Sequence, residues 1–147
     1  MPECHPCPVG TYNDGTVDEC SGCEQGTCAA DATGTVLCAQ CHKGHYANTT
    51  GTTSCAACPK GRYASNQGAT DCALCPVGTH ADKEGMSRCT PCAPGTYAAK
   101  EGLEVCASCQ AGYYAPQAGA EACTPCAKGT SAAQEGARQC TPCVPGT

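Results

Sequence analysis

Cysteine pairs two residues apart are the part of this sequence that could do chemistry, because C-x2-C can chelate a metal, exchange disulfides or anchor structural crosslinks. The chain holds nineteen cysteines in 147 residues, and eighteen of them fall in nine such pairs. From Cys38 onward the pairs begin at Cys38, Cys55, Cys72, Cys89, Cys106, Cys123 and Cys140, always seventeen residues apart. The two earlier pairs, beginning at Cys4 and Cys20, keep the pattern at intervals of sixteen and eighteen. A fixed period marks one small unit copied along the chain.

Zinc is the strongest chemical rival to crosslinking. Cys55-x2-Cys58-x13-Cys72-x2-Cys75 approaches a zinc-ribbon spacing, and four thiolates make a closed structural site. Nine consecutive pairs, however, give every pair two equivalent neighbours and leave one pair unused. The basic residues that usually surround clustered thiolates are also missing. His5, His42 and His45 lie near cysteines but read as surface residues. Thiol–disulfide catalysis needs a thiol activated at a helix N-terminus, and the pattern offers no helix. There is no Ser/His/Asp set, no phosphate loop and no calcium-loop order of acids. Glu84, Glu101 and Glu135 occupy variable positions and read as a solvated face. The chain is not expected to be an enzyme or to carry a cofactor.

Crosslinking remains, and repetition favours a pairing rule that copies itself. Joining the second cysteine of each pair to the first of the next gives Cys7–Cys20, Cys23–Cys38, Cys41–Cys55, Cys58–Cys72, Cys75–Cys89, Cys92–Cys106, Cys109–Cys123 and Cys126–Cys140. Spacing alone does not prove connectivity. A bond inside each C-x2-C is the competing rule, and it closes too small a ring to organise a loop. A crosslink across about 15 residues contributes ~3 kcal/mol in the chain-entropy model. Cys4 and Cys143 are then expected to pair with units outside this segment. Cys28 is an extra thiol where other units carry an aromatic residue. It suggests either a local rearrangement, as Cys23–Cys28 or Cys28–Cys41, or a crosslink to another chain.

The elements that must position these cysteines are short. Three residues after the second cysteine of every pair stands a glycine, from Gly10 and Gly26 through to Gly146. Tyr12, Tyr46, Tyr63, Tyr97 and Tyr114 lie two residues beyond it, with His80 and Ser131 as exceptions. A second glycine follows at Gly51, Gly68, Gly85, Gly102, Gly119 and Gly136, and Gly15 and Gly34 take that role in the irregular units. Pro-x-Gly and x-Pro-Gly are turn chemistry, and Thr-Tyr-Ala is β-prone. Each unit is expected to be a hairpin-like loop of two very short strands, with its tyrosine over its own disulfide. Two glycines per period exclude a regular helix.

Composition agrees with a crosslinked scaffold. The chain has no Phe, Trp or Ile, three Leu and six Val, so its apolar content is mostly Ala and Cys. Such an inventory cannot offset backbone ordering through a hydrophobic core, whereas dense disulfides restrict the unfolded chain. That density predicts an oxidising, extracellular or cell-surface setting. No stretch is long and apolar enough to span a bilayer. A net charge of −5 with scattered basic residues disfavours nucleic acid and anionic membrane. Asn48-Thr49-Thr50 is an N-glycosylation sequon. The fold class is therefore small and disulfide-rich, an elongated tandem array of ~17-residue β-loop repeats with little or no helix. Its units are expected at 4–19, 20–37 (irregular, with Cys28), 38–54, 55–71, 72–88, 89–105, 106–122 and 123–139, with a partial unit at 140–147.

The string C-x2-C-P-x-G-T-Y-x4-5-G-x3-C, clearest over residues 38–147, resembles the cysteine-rich repeats of ephrin-receptor-like ectodomains. It is similar, more loosely, to the first half of a TNF-receptor repeat and to C-x2-C arrays in protist surface proteins. The resemblance implies an extracellular, non-enzymatic module, and in the TNF-receptor relatives the cysteine before Pro-x-Gly bonds to the next one along. The expected function is an extracellular structural protein, part of a filament, coat or stalk, that associates with itself or with other extracellular proteins. A receptor or adhesion ectodomain is the alternative, and a zinc-binding C-x2-C scaffold the third reading.

Overall fold

Turn chemistry starts each loop. The computed structural model describes residues 7–13, 19–29 and 37–146; Cys4, His5, Gly15 and Gly34 lie outside that set. In Pro8-Val9-Gly10-Thr11, the Thr11 amide donates to the Pro8 carbonyl at 3.0 Å, and Gly10 sits at φ +85°. A positive φ at the third turn position is the type II geometry that glycine accepts without a Cβ clash. The threonine hydroxyl donates to the same carbonyl at 2.6 Å, which locks the turn twice. The bond recurs from Thr27 to Glu24, Thr79 to Pro76, Thr96 to Ala93 and Thr130 to Ala127.

Every strand among the described residues is two residues long. The first strand of each pair follows the turn, and the second consists of the two residues inside the next C-x2-C pair. Thus β1 (Thr11–Tyr12) pairs antiparallel with β2 (Ser21–Gly22), β3 (Thr27–Cys28) with β4 (Ala39–Gln40), and β5 (His45–Tyr46) with β6 (Ala56–Ala57). β7 (Arg62–Tyr63) neighbours β8 (Ala73–Leu74). The series continues with β9 (Thr79–His80) and β10 (Thr90–Pro91), then β11 (Thr96–Tyr97) and β12 (Ala107–Ser108). It ends with β13 (Tyr113–Tyr114) on β14 (Thr124–Pro125) and β15 (Thr130–Ser131) on β16 (Thr141–Pro142). No helix occurs among the described residues. This is the disulfide-rich array of hairpin repeats that the sequence predicts.

Among the described residues, eight disulfides close the loops, joining Cys7–Cys20, Cys23–Cys38, Cys41–Cys55, Cys58–Cys72, Cys75–Cys89, Cys92–Cys106, Cys109–Cys123 and Cys126–Cys140. The chain forms two compact units, the first built from Met1–Pro59, Tyr63–Ala73 and Glu84–Arg88, the second from Lys60–Arg62, Leu74–Lys83 and Cys89–Thr147. Each unit holds four of the disulfides. Among the described residues, the buried apolar ones are cysteines and, in every loop but the first, the alanine after the aromatic position: Ala29, Ala47, Ala64, Ala81, Ala98, Ala115 and Ala132, 0–7 % exposed.

Those alanines are buried because backbone lies against them. In the second unit, Gly95 donates to the Ala115 carbonyl at 2.8 Å, Ala98 to Ala120 at 3.0 Å, and Gly119 back to Cys92 at 2.8 Å. Gly78, Ala81 and Gly102 make the corresponding bonds to Ala98, Leu103 and Cys75. In the first unit, Gly44, Ala47 and Gly68 make them to Ala64, Ala69 and Cys41. Three backbone hydrogen bonds therefore join each such loop to the next, and a side chain larger than Ala would hold the strands apart. Contact also reaches past the nearest neighbour. A Cβ built on Gly44 would overlap the Gly85 carbonyl two loops on, and one on Gly78 would overlap that of Gly119. At Gly44 and Gly78 the first glycine is thus required twice, by its φ and by this close approach.

Candidate functional site

Two loops carry a histidine or cysteine, His80 and Cys28, at the position that most other loops give to tyrosine. Tyr46, on β5, packs against the cluster of Cys58, Ala64 and Cys72, and so against the disulfide of the following loop. That corrects the expectation of a tyrosine over its own disulfide. The two-residue strand pairs with the next C-x2-C, so its side chains reach forward along the sequence.

The same forward reach places His80 and Cys28. His80 Nδ1 lies 3.2 Å from Cys106 Sγ, in the Cys92–Cys106 disulfide of the following loop. Cys106 has no S–H, so any hydrogen in that contact belongs to the imidazole. Donor atoms of His80, Cys92 and Cys106 all lie within 4.8 Å of one another, the one metal-competent grouping among the described residues. Its two sulfurs are bonded to each other, and a zinc site needs them as thiolates. The same holds along the chain, since the thiolates of the zinc reading are the sulfurs that close the loops.

Cys28 sits on β3 with its Sγ 3.2 Å from Cys55 Sγ, and Cys55 is bonded to Cys41. The thiol is half-buried and unbonded. Neither local rearrangement considered from the sequence is present, because Cys23 is bonded to Cys38 and Cys41 to Cys55. An open cavity beside it is lined by Cys41, His42, His45, Ser54 and Cys55 along with Cys28. His45 Nδ1 lies 3.4 Å from the Lys43 carbonyl. Cys143 is unbonded and exposed, and Cys4 lies outside the described residues. Sequence reading singled out Cys28 as odd but missed its neighbour, since residues 27 apart give no periodic signal of contact.

Asn48 is exposed on the loop between β5 and β6, and its backbone carbonyl accepts a hydrogen bond from Gln25 Nε2 at 2.9 Å. Thr52 Oγ1 donates to the Thr49 carbonyl at 2.8 Å within the sequon loop. Tyr97, Gln110, Tyr113, Ala122 and Cys123 line a shallow groove in the second unit. No helix among the described residues is long and apolar enough to cross a membrane.

Closed loops of this kind, repeated on C-x2-C and Pro-x-Gly, define a disulfide-rich extracellular-type repeat. The family described as tyrosine-protein kinase ephrin type A/B receptor-like matches residues 26–71, 50–87, 61–102 and 95–143, and the chain belongs to it. No curated protein matches the chain.

Proposed function

We propose that this chain is a non-enzymatic segment of an extracellular or cell-surface structural protein, a filament, coat or stalk whose loops associate with copies of themselves or with other extracellular proteins. The observation that carries the reading is uniformity. The same turn, disulfide and three interloop hydrogen bonds recur in both units, which suits a material built from equivalent parts. Family membership and the disulfides support an extracellular setting. The scattered charge gives nucleic acid no footprint. The test is sedimentation and negative-stain microscopy of the oxidised chain at micromolar concentration. Regular assemblies are expected; a monomer throughout the range, with saturable binding to a cell-surface protein, would overturn the reading.

One observation favours a receptor or adhesion ectodomain as the second reading. The region from Cys20 to Cys41 departs from the repeat and carries a free thiol, as a distinctive contact segment would. Exchanging residues 20–41 for a regular unit separates the two readings, because it abolishes receptor binding while leaving self-assembly intact.

A further inference from the structure

We propose that Cys28, Cys41 and Cys55 form an internal disulfide-exchange site, in which the bond to Cys55 passes between two partners. Three sulfurs meet there: the Cys41–Cys55 disulfide and a Cys28 thiol 3.2 Å from the Cys55 sulfur. A disulfide is about 2.05 Å long, so a side-chain shift of little more than 1 Å brings Cys28 to bonding distance. In the step, the Cys28 thiolate attacks Cys55 Sγ. The Cys28–Cys55 bond forms as the Cys41–Cys55 bond breaks, and Cys41 leaves as a thiolate that takes up the proton Cys28 released. One disulfide and one thiol stand on each side, so neither oxidant nor reductant is consumed.

Burial sets the resting state. Cys41 is 1 % exposed, so its sulfur as a charged leaving group is poorly solvated, whereas Cys28 borders an open cavity. Cys41–Cys55, the bond the structure holds, is the major pairing, and Cys28–Cys55 the minor one. The minor pairing ties β3 directly to Cys55 and releases the hairpin bearing Asn48 from its own crosslink. Other loops lack this choice where a tyrosine occupies the same place, as Tyr46 does beside Cys58–Cys72.

The test removes the resting partner. In oxidised, purified Cys41→Ser, peptide mapping under acidic, non-reducing conditions after iodoacetamide treatment should recover Cys28 and Cys55 in one linked, unalkylated peptide. Cys58→Ser is the control, and its Cys72, beside Tyr46, should be alkylated in full. The proposal is overturned if Cys28 and Cys55 are both alkylated in Cys41→Ser, or if Cys28 instead links two chains. Where Cys41→Ser does not fold, the wild-type chain decides. A Cys28–Cys55 peptide at the per-cent level after acid quenching, lost in Cys28→Ser, supports exchange, and its absence refutes it.

Discussion

Replacing Gly95 with alanine should loosen the array far more than the same change at Gly129, although both fill the first-glycine position of a loop. Gly95 has φ +86° and Gly129 φ +82°, so the backbone cost of an L-residue is the same at each, ~1–2 kcal/mol. The difference lies in what the new methyl meets. At Gly95 it overlaps the Gly136 carbonyl two loops on, while at Gly129 of this 147-residue segment nothing lies within 4 Å. Overpacking a closed contact costs a further ~1–3 kcal/mol. Gly95→Ala should therefore cost about 2–5 kcal/mol, and Gly129→Ala about 1–2 kcal/mol. Amide hydrogen exchange reads both, because opening within a disulfide-locked chain is local. The Cys109 amide donates to Gly95 at 2.9 Å and the Cys143 amide to Gly129 at 2.8 Å, giving matched reporters. Protection at Cys109 should fall by roughly 30-fold to a few thousand-fold in the first variant, and at Cys143 by roughly 5- to 30-fold in the second. Equal losses would refute the claim that loops two apart are held in contact by glycine.

Three further outcomes follow from the same packing. Ala98→Leu, at a side chain 0 % exposed, should destabilise the chain by ~1–3 kcal/mol through overpacking; exposed Ala99→Leu should leave the melting temperature nearly unchanged, which thermal unfolding checks. Replacing Cys109 and Cys123 together by serine removes one loop closure and should cost ~2–4 kcal/mol, read as lost amide protection centred on β13 and β14. Asn48, exposed beside its threonines, should carry an N-glycan when the chain is secreted from a eukaryotic cell. The peptide from Cys41 to Cys55 should then gain glycan mass that Asn48→Gln removes, and an unmodified peptide in the wild-type chain would count against the sequon.

The sequence by itself determined the class of fold. Cysteines at a constant period, glycines at fixed offsets and almost no large apolar residues leave only short crosslinked loops as an ordered state. Those constraints are local: Gly10 must turn where φ is positive, and Thr11 must extend after it. The family was legible too, because its signature is made of those same residues. Tertiary structure decided which loop lies on which. A period fixes the unit but not the rise and twist that bring one unit against another, so nothing in the spacing marked Gly44 as the neighbour of Gly85. The burial of Ala47, Ala81 and Ala98 was equally hidden, since alanine has the same hydropathy whether it faces water or a neighbouring backbone. The forward shift that seats Tyr46 on the Cys58–Cys72 disulfide also brings Cys28 to Cys55 and His80 to Cys106. Sequence marks those two side chains as exceptions to the repeat. Only the folded chain brings their reactive atoms to a sulfur, because that contact depends on the register between successive loops.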